Sequence, residues 1–189
     1  MMTRADAIAR VAARLDPSWL VVACNGMISR ELYAAADAPS RFYMIGSMGL
    51  ASSIGLGVAL AQPARTVVVF DGDGNVLMNT GVLGSIVAAD ATNLYHVVFD
   101  NHAHASTGGQ RTISDRIPLE RVALAAGYAR AVRVDVESAL DAAFDEVCRG
   151  AGPAMLLVKV AGGNQAGIGR MEIAPPALTV RFRAAIRSS

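Results

Sequence analysis

Charge is scarce in this chain. Only 17% of its 189 residues are Asp, Glu, Lys or Arg, against 53% hydrophobic, and the formal net charge is +1. Disordered chains show the opposite balance, so a packed core is expected. A near-neutral chain also lacks the basic surface that selects nucleic acid or anionic lipid, and neither is expected as the main partner. No apolar run approaches the about 18 residues that a membrane span needs. Residues 1–15 carry Arg and Asp throughout, where a secretory signal would have an apolar block. Cysteine occurs twice, as Cys24 and Cys148, too far apart for a CxxC motif; both read as free thiols in a reducing cytosol. Lysine occurs once, as Lys159 in a strand-like run, so the GK[ST] of a Walker loop is missing. The third glycine of a dinucleotide fingerprint is missing too: Leu77 and Leu60 stand where it would fall. Internal repeats and low-complexity tracts are absent. So apolar a chain is expected to expose surface that a partner covers, hence an oligomer.

What is present alternates. Apolar, β-branched runs at 19–23, 42–45, 66–70, 94–99, 129–134 and 155–160 predict strands. Helical spacing predicts helices at 4–15, 29–36 (with Ser29 as cap), 50–61, 76–89, 118–126, 137–148 and 175–186. Residues 162–169 are Gly-rich and expected to be flexible, the start of a tail reaching 189. Strand–helix alternation predicts a single α/β domain over 1–189: a doubly wound, mainly parallel six-stranded sheet with helices on both faces. Ligands of such sheets bind beyond the carboxyl ends of the strands, which points to the loops after Phe70 and Phe99.

The first loop reads Asp71-Gly72-Asp73-Gly74-Asn75. Its glycines permit a tight turn and close approach of a ligand to the backbone, and amides opening the next helix favour phosphate. Asp73 would repel a phosphate unless a hard divalent cation lay between them. The second loop runs from Asp100-Asn101-His102-Ala103-His104 to Ser106-Thr107-Gly108-Gly109-Gln110. One helix–strand step sets the two loops side by side. Asp73, the Asn101 amide oxygen and the Ala103 carbonyl can then share one Mg²⁺ with two phosphate oxygens and a water. These residues alone leave open an ordinary turn, or a phosphatase-like Mg²⁺ site on Asp71 and Asp73.

Gly72-Asp73-Gly74, the spacer 75–99 and Asp100-Asn101 together resemble the GDG…N motif of thiamine diphosphate enzymes. The segments Asn25–Glu31, Ile45-Gly46-Ser47-Met48-Gly49 and Ser106–Gln110 resemble phosphonopyruvate and sulfopyruvate decarboxylases in particular. The resemblance implies Mg²⁺ ligation by Asp73, Asn101 and Ala103, and cofactor contacts from Gly46, Ser47, Met48, Gly72, Gly74 and Asn75. The Gly46 carbonyl would accept from the 4′-amino group, and Met48 would wedge the cofactor into its bent shape. It further implies substrate contacts from Ser106 and Thr107, and a catalytic role for His104. Asp100 departs from the usual asparagine, His102 from a usual glycine and Ala105 from a usual aspartate. His96, in a strand, reads as structural, Cys24, Cys148 and Met78 as core, Asp71 as a group behind the site, and Arg111 as solvated.

Such enzymes divide the cofactor between a diphosphate-binding (PP) half and a pyrimidine-binding (Pyr) half that supplies a glutamate. The motifs here are those of the first. The resemblance therefore implies the β subunit of a split, cytoplasmic 2-oxo acid decarboxylase, releasing CO₂ and an aldehyde, with the glutamate on a separate α subunit. Alternatives are a carboligase subunit and a non-catalytic cofactor-binding partner.

Overall fold

The computed structural model describes residues 1–188. Six parallel strands form the central sheet: β1 (Leu20–Ala23), β2 (Arg41–Tyr43), β3 (Val67–Gly72), β4 (Leu94–Asp100), β7 (Arg130–Val134) and β8 (Ala154–Lys159), in the order β2-β1-β3-β4-β8-β7. Every residue of β1, β3, β4 and β8 is buried, which requires cover on both faces. The cover comes from α1 (Arg4–Ala12), with α2 (Met27–Ala35) and α7 (Leu140–Val147) each packed on it, and from α3 (Ala51–Ala61), α5 (Gly81–Ala88) and α6 (Leu119–Ala126). A last helix, α8 (Pro175–Arg187), lies on the edge strand β2, where Phe182 meets Phe42 with ring centroids 5.4 Å apart. The predicted α/β class, strand number and parallel pairing all stand.

Local chemistry sets the element ends. Thr3 caps α1: its hydroxyl oxygen accepts the Asp6 amide at 3.1 Å, satisfying a donor of the first turn. Ser29 is not the cap of α2. Gly26 occupies that position with φ 86°, and the Ser29 hydroxyl donates to the Cys24 carbonyl at 2.6 Å, tying the helix to the end of β1. The single helix predicted over 76–89 is two, α4 (Asp73–Met78) and α5, broken at Asn79 and Thr80. The Asn79 amide donates to the Gly49 carbonyl at 3.0 Å and the Thr80 hydroxyl to the Val76 carbonyl at 3.1 Å, so side chains compete with the helical ladder. Met78, read as core, is 62% exposed at this break. A two-stranded antiparallel hairpin, β5 (Ala103–His104) with β6 (Gln110–Arg111), was not expected. Among the described residues no helix is long and apolar enough to cross a membrane.

Candidate functional site

Gly72 of β3 pairs with Phe99 of β4, and the Phe70 and Phe99 rings pack edge-on at 5.4 Å beneath them. Neighbouring strands thus end level, and their loops meet over one cleft. Its walls include Met48, Gly72, Asp73, Gly74, Asn75, Asn101, Ala103, His104, Ser106 and Thr107. Ten of the predicted site residues are therefore together. Gly46 and Ser47 are not among them: they line an adjoining apolar pocket with Ile45, Ile54 and Leu178.

Asp73 opens α4 and is only 3% exposed. Its Oδ2 accepts from the hydroxyls of Thr112 and, at 3.2 Å, Ser114. Burial pushes the Asp73 carboxyl above the usual carboxylate range. The hydroxyl of Thr112 opposes this, the Asp100 charge adds to it, and the Gly74 amide and Ser114 oppose it. A carboxylate so placed favours a positive partner. Next to it, Asn101 Oδ1 accepts the Ala103 amide at 3.1 Å and keeps a second lone pair. Asp73, this amide oxygen and the Ala103 carbonyl are oxygen donors of the kind a hard cation takes.

Among the described residues, two buried polar atoms of the cleft, Nδ2 of Asn101 and Oδ1 of Asn25, have no protein partner. Buried polar atoms nearly always have one, so a pair at one cleft is what the seat of a polar ligand would leave unpaired. Gly74 leaves the backbone bare there: a Cβ would lie 2.6 Å from Nδ1 of His104 and 3.2 Å from Cε of Met48. The amides of this first turn have no helical acceptor. They stand on a six-residue helix, so the amides themselves, more than a long helix dipole, are what the turn offers an anion. Asn75 works sideways: its Oδ1 accepts the Gly49 amide at 2.8 Å and clamps the 46–49 segment to α4. The Thr107 hydroxyl faces Gln110 Oε1 at 3.2 Å, and the exposed Arg111 pairs with Asp115.

Behind the first loop, Asp71 accepts from Ser52 at 2.9 Å, from the Gly72 amide at 3.0 Å and from the fully buried His96 at 3.2 Å, in keeping with the structural reading of His96. Behind the second, Asp100 accepts from the Lys159 ammonium and from Ser114 at 2.8 Å. His102 sits at φ 58°, the left-handed region, which is the physical reason a glycine suits that position.

Arg4 reaches the cleft from α1, pairs with Glu31 through two bonds of 2.8 and 2.9 Å, and holds Asn164 Oδ1 at 2.9 Å. The Asn164 amide donates to the Ala105 carbonyl at 3.1 Å, so the Gly-rich segment is pinned to the cleft loop. Sequence reasoning missed Arg4, Asn25, Thr112, Ser114 and Lys159. The available signals were the Asn25–Glu31 likeness and a lone lysine ending a strand.

A fold with this cleft at the carboxyl edge of its sheet is that of a nucleotide- or cofactor-binding α/β domain. Residues 22–158 match the family "Thiamine pyrophosphate enzyme, C-terminal TPP binding domain". The chain belongs to that family. It is 43% identical over 186 residues to a phosphonopyruvate decarboxylase of Streptomyces hygroscopicus, covering 96% of this chain and 45% of that protein. It is 45% identical to the sulfopyruvate decarboxylase subunit beta of Methanothermobacter thermautotrophicus, covering 87% of this chain and 85% of that one. The corresponding subunit of Methanocaldococcus jannaschii is 36% identical, with 98% of both chains covered. The chain thus spans a little under half the length of the phosphonopyruvate decarboxylase. Among solved structures, a benzoylformate decarboxylase from Polynucleobacter necessarius shares the fold with a TM-score of 0.71 at 17% identity, over 84% of this chain and 33% of that one.

Proposed function

We propose that the chain is the diphosphate-binding subunit of a thiamine diphosphate- and Mg²⁺-dependent decarboxylase of 2-oxo acids bearing a second anionic group. One observation carries this reading. Asp73 and Asn101, on loops that end neighbouring strands, line one cleft together with unpartnered buried amide atoms. The donor set fits a hard cation on a diphosphate: one buried carboxylate, an amide oxygen and a main-chain carbonyl, with phosphate oxygens completing the shell. When bound, thiamine diphosphate supplies the nucleophilic carbon and the electron sink for the pair left by CO₂.

The chain's own part is placement. Asp73, Asn101 and Ala103 hold the cation, and the bare turn at Gly74 admits the diphosphate. Met48, within contact distance of Gly74, supports the cofactor's bend, and the Gly46 carbonyl lies on the segment that Asn75 clamps. His104, against Gly74, is the group placed to hold or move a proton beside the reacting atoms. The Ser106 and Thr107 hydroxyls are donors for the anionic tail of the substrate.

A separate α-type chain supplies the Pyr half and its glutamate. The coverage of two sulfopyruvate decarboxylase beta subunits nearly end to end supports a split enzyme. So do the exposed Ile45 and Met78 beside the 46–49 segment. Free thiols at Cys24 and Cys148 support a reducing, cytoplasmic setting.

Co-expression with a neighbouring Pyr-type gene product, followed by CO₂ release from a panel of 2-oxo acids, tests the proposal. Release from sulfopyruvate or phosphonopyruvate, only with the partner and Mg²⁺ present, is expected. Turnover by this chain alone contradicts the split reading.

A further inference from the structure

Lys159 is the only lysine of the chain, and it is buried at the end of β8, in register with Asp100 of β4. Its ammonium donates to Asp100 Oδ2 and contacts Nε2 of His102 at 3.3 Å. An ammonium has donors only, so Nε2 is the acceptor and the ring proton resides on Nδ1. Nδ1 then donates to Ser114 Oγ at 2.9 Å. That leaves Ser114 its own single proton for a carboxylate, with Asp100 Oδ1 at 2.8 Å and Asp73 Oδ2 at 3.2 Å as the two acceptors. Thr112, 3.0 Å from Ser114, donates its proton to the same Asp73 oxygen. Asp100 is fully buried, as is almost all of Lys159 and Asp73, so water contributes little to this arrangement.

Two carboxylates thus flank one hydroxyl, which lies nearer Asp100, and the one ammonium pairs with Asp100. With Lys159 on Asp100, that carboxylate is neutralised and Asp73 keeps the uncompensated charge. The Thr112 bond and the longer Ser114 approach both fall on Oδ2 of Asp73, and among the described residues no side-chain hydroxyl reaches Oδ1. Without Lys159, Asp100 becomes a second buried anion without a cationic partner, beside Asp73 across Ser114, and competes with Asp73 for any cation. We propose that Lys159, through Asp100, His102 and Ser114, is a positioning residue that orients the Asp73 carboxylate for the divalent cation carrying the diphosphate. This rests on the cofactor reading above, and extends it to a residue on a third strand that does not line the cleft.

The test is equilibrium dialysis of thiamine diphosphate against the full chain in its assembled form over a Mg²⁺ series, with melting curves taken without Mg²⁺. Lys159→Met is expected to raise the half-saturating Mg²⁺ at least tenfold, within the about 10–100-fold typical of groups that orient metal ligands. The double variant Lys159→Met/Asp100→Asn, which removes both charges, is expected within threefold of wild type. A merely structural lysine would lower the melting temperature without moving the Mg²⁺ midpoint. If Lys159→Met does not fold, the double variant decides alone: a midpoint within threefold supports the proposal, and a tenfold shift overturns it. A wild-type midpoint for Lys159→Met, or a double variant as impaired as the single, overturns it while the cofactor reading stands. Cofactor binding by wild type that ignores Mg²⁺ overturns both.

Discussion

At the residue scale the site is a conflict between burial and charge. Asp73 is held out of water with a second carboxylate nearby, so its folded pKa lies above the unfolded one. The folded chain therefore binds that proton more tightly than the unfolded chain. The stability this group contributes is present in acid and is lost as pH rises through the raised pKa. Asp73→Asn, free of cofactor, is therefore expected to melt higher than wild type at pH 7. The difference should close toward about pH 4, the ordinary Asp range. Equal melting at pH 7 would contradict the account. Gly74→Ala is expected to weaken cofactor binding at least tenfold, because its methyl group meets the His104 ring at 2.6 Å; calorimetric titration reads it. Asp73, Asn101 and Gly74 were legible in the sequence because a short motif with a fixed spacer carries them. Thr112 and Ser114 were not. They reach Asp73 through a hairpin with two residues per strand, too short to leave an alternation.

At the element scale, the six strands were legible because runs such as Val67–Phe70 and Leu94–Phe99 are apolar without alternation, as full burial requires. The break between α4 and α5 was hidden, because it depends on Asn79 finding the Gly49 carbonyl and Ser53 from another segment. Helix α3 shows why small residues recur along it: a Cβ on Gly55 would lie 2.3 Å from Cγ2 of Val69. Gly55→Ala is expected to destabilise the fold by about 1–3 kcal/mol through overpacking against β3, read by urea denaturation, although alanine has the better helix propensity. An unchanged midpoint would mean that α3 shifts freely on the sheet.

At the scale of the whole molecule, the cleft opens beside apolar side chains that the chain itself does not cover. Ile45 is 57% exposed and Met78 62%, and Met78 stands directly over Gly49. Met78→Glu is expected to weaken assembly with the Pyr-type partner at least tenfold while leaving the melting temperature of the separate chain within about 2 °C, as surface changes do; analytical ultracentrifugation checks it. The most direct measurement is a crystal structure of the assembled protein grown with thiamine diphosphate and Mg²⁺. A magnesium is expected between the diphosphate and a carboxylate oxygen of Asp73, the amide oxygen of Asn101 and the Ala103 carbonyl. A diphosphate seated elsewhere, or a cation held without Asp73, would contradict this reading.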